Sequence, residues 1–183
     1  METFTEPRGF VADPGFESHK VRTLESLDLS DLDPPVVDIV VDFNKLDTCY
    51  TLQICYGHFV YDGQPDIHNL DPLPSDPIMG DIDYRIAYLA LCLANNQGGR
   101  ALFDALAKIP HLDPDNIQFG SADWFWARHL NSYALQVEPA RLMYKDHGMV
   151  DYQEALRLEQ LRGLFYSEIR GLLQGLLESN PKT

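Results

Sequence analysis

An α+β fold is predicted by three features of the sequence. Apolar residues recur at helical spacing in residues 36–46 and again over a long C-terminal stretch, whereas several runs of strand length are alternating or near-continuously apolar. Proline, glycine and aspartate punctuate the intervals between them. Helices and strands are therefore interleaved around a mixed β-sheet, and 183 residues with 45% hydrophobic content suffice for one domain with a sizeable core.

Residues 1–33 form an acidic, partly irregular N-terminal segment in which Pro7, Gly9, Pro14, Gly15 and many acids leave little to pack. The domain proper spans 34–183. Pro34-Pro35 opens a helix with Asp33 as its N-cap and Val36, Ile39, Val40, Phe43 and Leu46 on one face. A strand follows from Cys49, with Tyr50, Leu52, Ile54 and Tyr56 on one side and Cys49, Thr51, Gln53 and Cys55 on the other. Residues 62–83 read as a long loop, with Pro65, Pro72, Pro74 and Pro77 among Asp66, Asp71, Asp76 and Asp81. It suits a lid or a partner-binding arm. Its aspartates lack the spacing and terminal glutamate of an EF-hand, so no calcium loop is assigned.

The run Tyr84 to Leu93 is apolar enough to be a strand covered on both faces, and so a central one. After Asn95-Asn96-Gln97-Gly98-Gly99-Arg100 comes a helix with Leu102, Phe103, Leu106 and Ile109 on one side, closed by Pro110. Ile117–Ser121 and Ser132–Glu138 read as two further strands. The last element is a helix from about Tyr152 to Glu178, opened by a capping-box-like Asp151 and Glu154, with Leu158, Leu161, Phe165, Ile169, Leu172 and Leu176 as its stripe.

The formal charge of −14 is unevenly distributed: residues 1–84 carry 17 acids against 4 bases, and the remainder 11 against 10. A surface of that sign repels phosphate backbones and anionic membranes, which disfavours nucleic acid as a partner. The longest apolar run, Ile86 to Ala94, is too short to span a bilayer, and the first ten residues lack the regions of a signal peptide. A soluble, cytoplasmic protein with no membrane partner is expected. Three cysteines without regular spacing argue against a disulfide framework and offer no zinc-finger or zinc-ribbon pattern, so no metal ligand is assigned.

Three segments are candidates for function. In Cys55-Tyr56-Gly57-His58, strict alternation puts Cys55 and His58 on opposite faces, but a bulge at Gly57 would bring imidazole to thiol, the pairing a nucleophilic or redox cysteine needs. Cys55 and His58 are the candidate catalytic residues. Burial of a small apolar side chain and a hydrogen-bonded histidine explains the same residues without chemistry. Gly98, Gly99 and Arg100 at a helix N-terminus could face an anion, against the alternative of plain turn chemistry. Trp124, with Trp126 beside it, could form a stacking wall or a core edge, and Asp123 and His129 nearby could make an acid/base pair. His19, His68, His111 and His147 are expected in solvent.

The segment Tyr50-Thr51-Leu52-Gln53-Ile54-Cys55-Tyr56-Gly57-His58, with a helix before it and strand, helix, strand and a long helix after it, resembles the wybutosine-synthesising tRNA methyltransferase family. In that family a strand ends in Thr-Ser-Ser-Cys-Ser-Gly-Arg. Tyr50, Thr51, Cys55 and Gly57 match the pattern, while Gln53, Ile54, Tyr56 and His58 replace its serines and arginine. The resemblance implies a related scaffold and an S-adenosylmethionine-like pocket; the missing arginine and the acidic surface speak against tRNA as the substrate.

Together these observations predict a pocket built from Cys55, Gly57, His58, Gly98, Gly99, Arg100 and Trp124, serving a small-molecule binder or a group-transfer enzyme whose cofactor, if any, the residues alone leave unknown. The alternative is a non-catalytic module whose acidic half meets a protein partner. The C-terminal stripe permits a homodimer, and burial against the domain's own sheet in a monomer explains it equally.

Overall fold

The computed structural model describes residues 4–64, 66, 68, 70–142 and 145–179. Its elements are β1 (Phe4–Thr5), α1 (Phe16–Ser26), α2 (Val37–Lys45), β2 (Cys49–Cys55), β3 (His58–Val60), β4 (Ile82–Arg85), β5 (Ala87–Leu93), α3 (Gln97–Leu106), β6 (Ile117–Ala122), α4 (Asp123–Trp126), β7 (Ser132–Val137), β8 (His147–Val150) and α5 (Tyr152–Ser179), with short 3-10 turns between some of them. The α+β class and the long C-terminal helix are as the sequence predicts. The strands form two sheets, ordered β1-β6-β7-β5-β2 and β3-β4-β8, and every pairing in them is antiparallel.

The two sheets are joined by one ribbon. Cys55 pairs with Tyr88 at the end of the β2–β5 ladder, and His58 pairs with Arg85 in the β3–β4 ladder, so the register runs on unchanged across the break. The ribbon bends where Gly57 adopts φ +91° opposite Ala87. A Cβ on Gly57 would stand 2.8 Å from the Ala87 Cβ, so both the backbone conformation and the close approach require glycine. On the opposite strand the apolar run expected to be one strand is divided at Ile86 into β4 and β5, because the Tyr84 hydroxyl accepts from the Ala87 N–H at 3.2 Å and donates to the Val137 carbonyl at 2.8 Å. β5 is interior, between β2 and β7.

The main core lies between one face of the five-stranded sheet and helices α2 and α5, where Phe43, Leu89, Leu91, Leu93, Leu135, Phe165 and Ile169 are almost fully buried. Each such side chain contributes about 1.5–3 kcal/mol on leaving water. The α5 stripe is Leu158, Leu161, Phe165, Ile169 and Leu173, with the expected Leu172 and Leu176 half-buried beside it. At its start the Asp151 carboxylate accepts from the Glu154 N–H at 2.8 Å, while Glu154 pairs with Arg141. The second sheet face carries smaller groups, with Ala90, Cys92 and Ala94 of the β5 strand and its exit under Phe16 of α1 and Phe125 of α4.

The N-terminal segment contributes more than expected. It is irregular from about Glu6 to Asp13, yet β1 adds an edge strand on β6, Val11 and Asn131 exchange two hydrogen bonds, and α1 covers Tyr50. Lys20 of α1 donates its Nζ to the Leu46 carbonyl at the end of α2. The loop expected at 62–83 ends sooner, because Ile82 and Asp83 belong to β4; the described residues of 61–81 carry no helix or strand, and Pro65 lies outside the described residues. α3 ends at Leu106, and Ile109 with Pro110 forms a separate 3-10 turn rather than the helix end.

Gly57→Ala is expected to lower unfolding free energy by about 1–3 kcal/mol from backbone strain alone, with the Ala87 clash adding to it; a urea titration checks this, and an unchanged midpoint would contradict the constraint at the bend.

Candidate functional site

The bend places the Cys55–His58 segment against two buried polar groups of α5. Arg162, about 5% exposed, donates to the Gly57 carbonyl at 2.7 Å, and its guanidinium lies 4.1 Å from the Tyr56 ring centroid and 5.2 Å from that of Phe59. The Tyr166 hydroxyl donates to the Cys55 carbonyl, and its ring stacks on Tyr56. Backbone carbonyls freed by the change of sheet are thus satisfied by α5.

Cys55 and His58 do meet, by a route different from a bulge at Gly57. The register shift in β2 falls between Thr51 and Gln53, so Tyr50 and Leu52 belong to the second face while Ile54 and Tyr56 pack on the main core. What joins thiol and imidazole is the positive-φ bend at Gly57, with no register change across it. A third group, Asp33, completes the cluster: one ligand atom each from Asp33, Cys55 and His58 lie within 4.8 Å of one another. Asp33 Oδ2 accepts from the Tyr56 N–H at 2.8 Å and stands 3.3 Å from His58 Nε2.

The sequence reading of Asp33 as a helix cap needs correction. Pro34 and Pro35 supply no N–H in the first turn, and the Val36 N–H is taken by the Asp33 carbonyl at 3.0 Å, so no helix donor remains for the carboxylate. An acid ahead of two prolines was the available signal for a carboxylate with another task.

His58 is buried, and the Asp33 carboxylate, with Cys55 as second cause, raises its pKa from the ordinary 6.5 to about 9 against the opposing effect of burial. The same contact lowers that of Asp33. Imidazolium and carboxylate therefore coexist at neutral pH, while His58 Nδ1 finds no hydrogen-bond partner among the described residues.

Cys55 also faces a cavity of about 470 Å³ on the second face of the sheet. Its floor is Gln53 and Cys55 of β2, Tyr88 of β5 and Ala134 and Gln136 of β7; Phe125 comes from α4, and Asp83, Arg85, Asp146 and His147 from β4 and the start of β8. The small side chain of Ala134 on this face leaves space for it. His147 is exposed as expected but pairs with Asp83 at 2.6 Å, and Gln136 donates to Glu138 at 2.6 Å.

The other predicted residues lie elsewhere. Gly98, Gly99 and Arg100 sit beyond the end of β5 remote from Cys55. There the Asn96 side chain caps α3 by accepting from the Gly99 N–H at 2.8 Å, and Arg100 donates to Asn95 at 2.6 Å and covers the Phe10 ring. Gly99 is glycine because a Cβ would fall 1.9 Å from the Ala94 carbonyl oxygen. Trp124 is about half exposed and stacks with Arg128 rather than lining the cavity. Asp123 pairs with Arg8, and His129 meets the Tyr50 hydroxyl at 3.2 Å. His19 is half-buried beside His129, and His68 is exposed with its ring edge-on to His58. Gln53, Tyr88 and Gln136 carry no sequence signal of a site; such residues in a strand are too common to mark a cavity.

Among the described residues no helix is long and apolar enough to cross a membrane. Compared with known proteins, the chain matches no family model, no curated protein and no solved structure.

Because the folded state holds the His58 proton more tightly than the unfolded chain, its contribution is complete below pH 6.5 and is lost as pH rises through about 9. The urea midpoint of the wild type should fall over that interval, and that of His58→Gln should fall distinctly less. Parallel curves would rule out the ion pair with Asp33.

Proposed function

We propose that the chain binds a small polar molecule in the cavity on the second sheet face and carries out group-transfer chemistry on it at the Asp33–Cys55–His58 end. The observation that carries this reading is that Cys55 belongs to both, lining the cavity and lying within 4.8 Å of the other two groups. A molecule seated there would meet a sulfur, a charged N–H and a fixed carboxylate together. Cys55 offers the sulfur. His58, protonated at neutral pH, offers a proton and a positive charge, and Asp33 orients the ring.

The rest of the lining indicates the ligand class. Arg85 and His147 both pair with Asp83 and stand beside Asp146, a set that suits a zwitterionic group, while Gln53 and Gln136 suit hydrogen-bonding edges against the aromatic ring of Tyr88. A volume of about 470 Å³ falls within the usual range for small-molecule sites. The resemblance of the Cys55 segment makes S-adenosylmethionine the first molecule to try.

Iodoacetamide labelling mapped by mass spectrometry tests the reading. Cys55 should be alkylated while the fully buried Cys49 and Cys92 are spared, and S-adenosylmethionine or another small polar metabolite from a panel should slow the labelling of Cys55. Protection should weaken about tenfold or more in Arg85→Ala, and turnover of the protecting molecule should fall by a similar or larger factor in Cys55→Ser and His58→Ala. Native mass spectrometry of fresh protein would add any copurified ligand. A bare mass, no protection across the panel and salt-sensitive association with a protein partner that ignores both substitutions would replace this reading with the interaction module.

A further inference from the structure

The cluster at the end of the cavity has the composition and spacing of a metal-ligand set. Thiolate, imidazole and carboxylate are the three donor types of zinc sites. With metal–nitrogen and metal–oxygen bonds of about 2.0 Å at the tetrahedral angle, the two donor atoms lie about 3.3 Å apart; His58 Nε2 and Asp33 Oδ2 stand 3.3 Å apart. The third donor, Cys55 Sγ, falls within the same 4.8 Å span. A hydrolase-type relay is a poorer description, because it needs acid and nucleophile on opposite ring nitrogens. Here Asp33 meets Nε2, and Nδ1 has no hydrogen-bond partner among the described residues.

The donors are held in place before any ion binds. The His58 side chain is about 8% exposed, so its ring is fixed by packing. The donor set is also carried by rigid pieces: the bend at Gly57 is clamped by Arg162, and Asp33 is fixed by the Tyr56 N–H. Three protein donors beside an accessible cavity describe a catalytic metal site, whose fourth position is left for water or substrate.

We infer that Asp33, Cys55 and His58 bind one divalent transition-metal ion of the zinc type, with its open coordination position directed at the cavity that Cys55 lines. This rests on the reading of the cluster as the reactive end of that cavity. With the ion bound, sulfur and ring nitrogen become ligands, and the metal supplies the positive charge that the imidazolium supplies without it. Mixed sulfur, nitrogen and oxygen donors favour zinc or cobalt over calcium or magnesium.

The test is titration of the chelator-treated, reduced full-length protein with cobalt(II). Expected are a sulfur-to-cobalt charge-transfer band and the intense visible bands of a tetrahedral ion, saturating at one equivalent and abolished by zinc. Cys55→Ser should remove the charge-transfer band. Asp33→Asn, which keeps an oxygen for the Tyr56 N–H, should weaken binding by about 10–100-fold, and Cys92→Ser should leave the spectrum intact. Circular dichroism of each variant separates lost binding from lost folding. Absence of the sulfur band in the folded wild type, or its persistence in Cys55→Ser, overturns the inference. If the band is absent while a small molecule from the panel still protects Cys55 from alkylation, the metal alone is wrong; if neither is seen, the reading of the cavity fails with it.

Discussion

A buried guanidinium holds the centre of this molecule. Arg162 is withdrawn from water between Tyr56 and Phe59 and donates to the Gly57 carbonyl, with Glu159 at 3.7 Å as its nearest carboxylate. A charge so placed is costly unless its donors are used. One of them, Nη1, is used at the point where the ribbon passes from one sheet to the other, beside the hydroxyl of Tyr166 on the Cys55 carbonyl, while the two aromatic rings flank the guanidinium and its Nε has no hydrogen-bond partner among the described residues. The angle between the sheets, the meeting of Cys55 with His58 and the opening of the cavity beside them all follow from the shape fixed there.

The two faces of the five-stranded sheet divide the labour. One is filled with leucine and phenylalanine and supplies the stability; the other is built from alanine, cysteine, serine and glutamine and encloses space. The bulge in β2 between Thr51 and Gln53 is what lets one strand serve both, turning Ile54 and Tyr56 towards the core and leaving Gln53 and Cys55 on the side of the cavity.

Elements with strong periodicity were legible in the sequence. The stripe from Leu158 to Ile169, the Val36–Phe43 face and the runs at 117–121 and 132–138 each declare their structure locally, because burial of one face imposes its period. The division at Ile86 was hidden, since an apolar residue at a bend reads like an apolar residue in a strand, and Tyr84 reaches Val137 through a contact no local pattern records. The short strands β1, β3 and β8 and the polar helix α1 are likewise imposed by tertiary pairing. In the candidate site, Cys55 and His58 were visible as reactive types around a glycine. Asp33 reads as a cap because an acid ahead of a helix fits that pattern, yet the two prolines after it leave no N–H for its carboxylate to cap. The glycines before α3 looked like an anion cradle, but Asn96 in the same loop already satisfies that helix end.

The N-terminal strap has a kinetic meaning. Arg8 and Val11 bond to Ser121, Asn131 and Tyr133, partners more than a hundred positions further along the chain. On a ribosome those partners emerge long after the strap, which must wait as unpaired chain while α2 and the first strand are already able to associate. Non-local closure of this kind slows folding and prolongs exposure of the sheet edge. Arg162 and Tyr166 are made later still, 105 and 111 residues after the carbonyls they bind. The Asp33–Cys55–His58 cluster is thus among the last parts of the molecule to acquire its geometry, which waits until the sequence through α5 has been synthesised and docked.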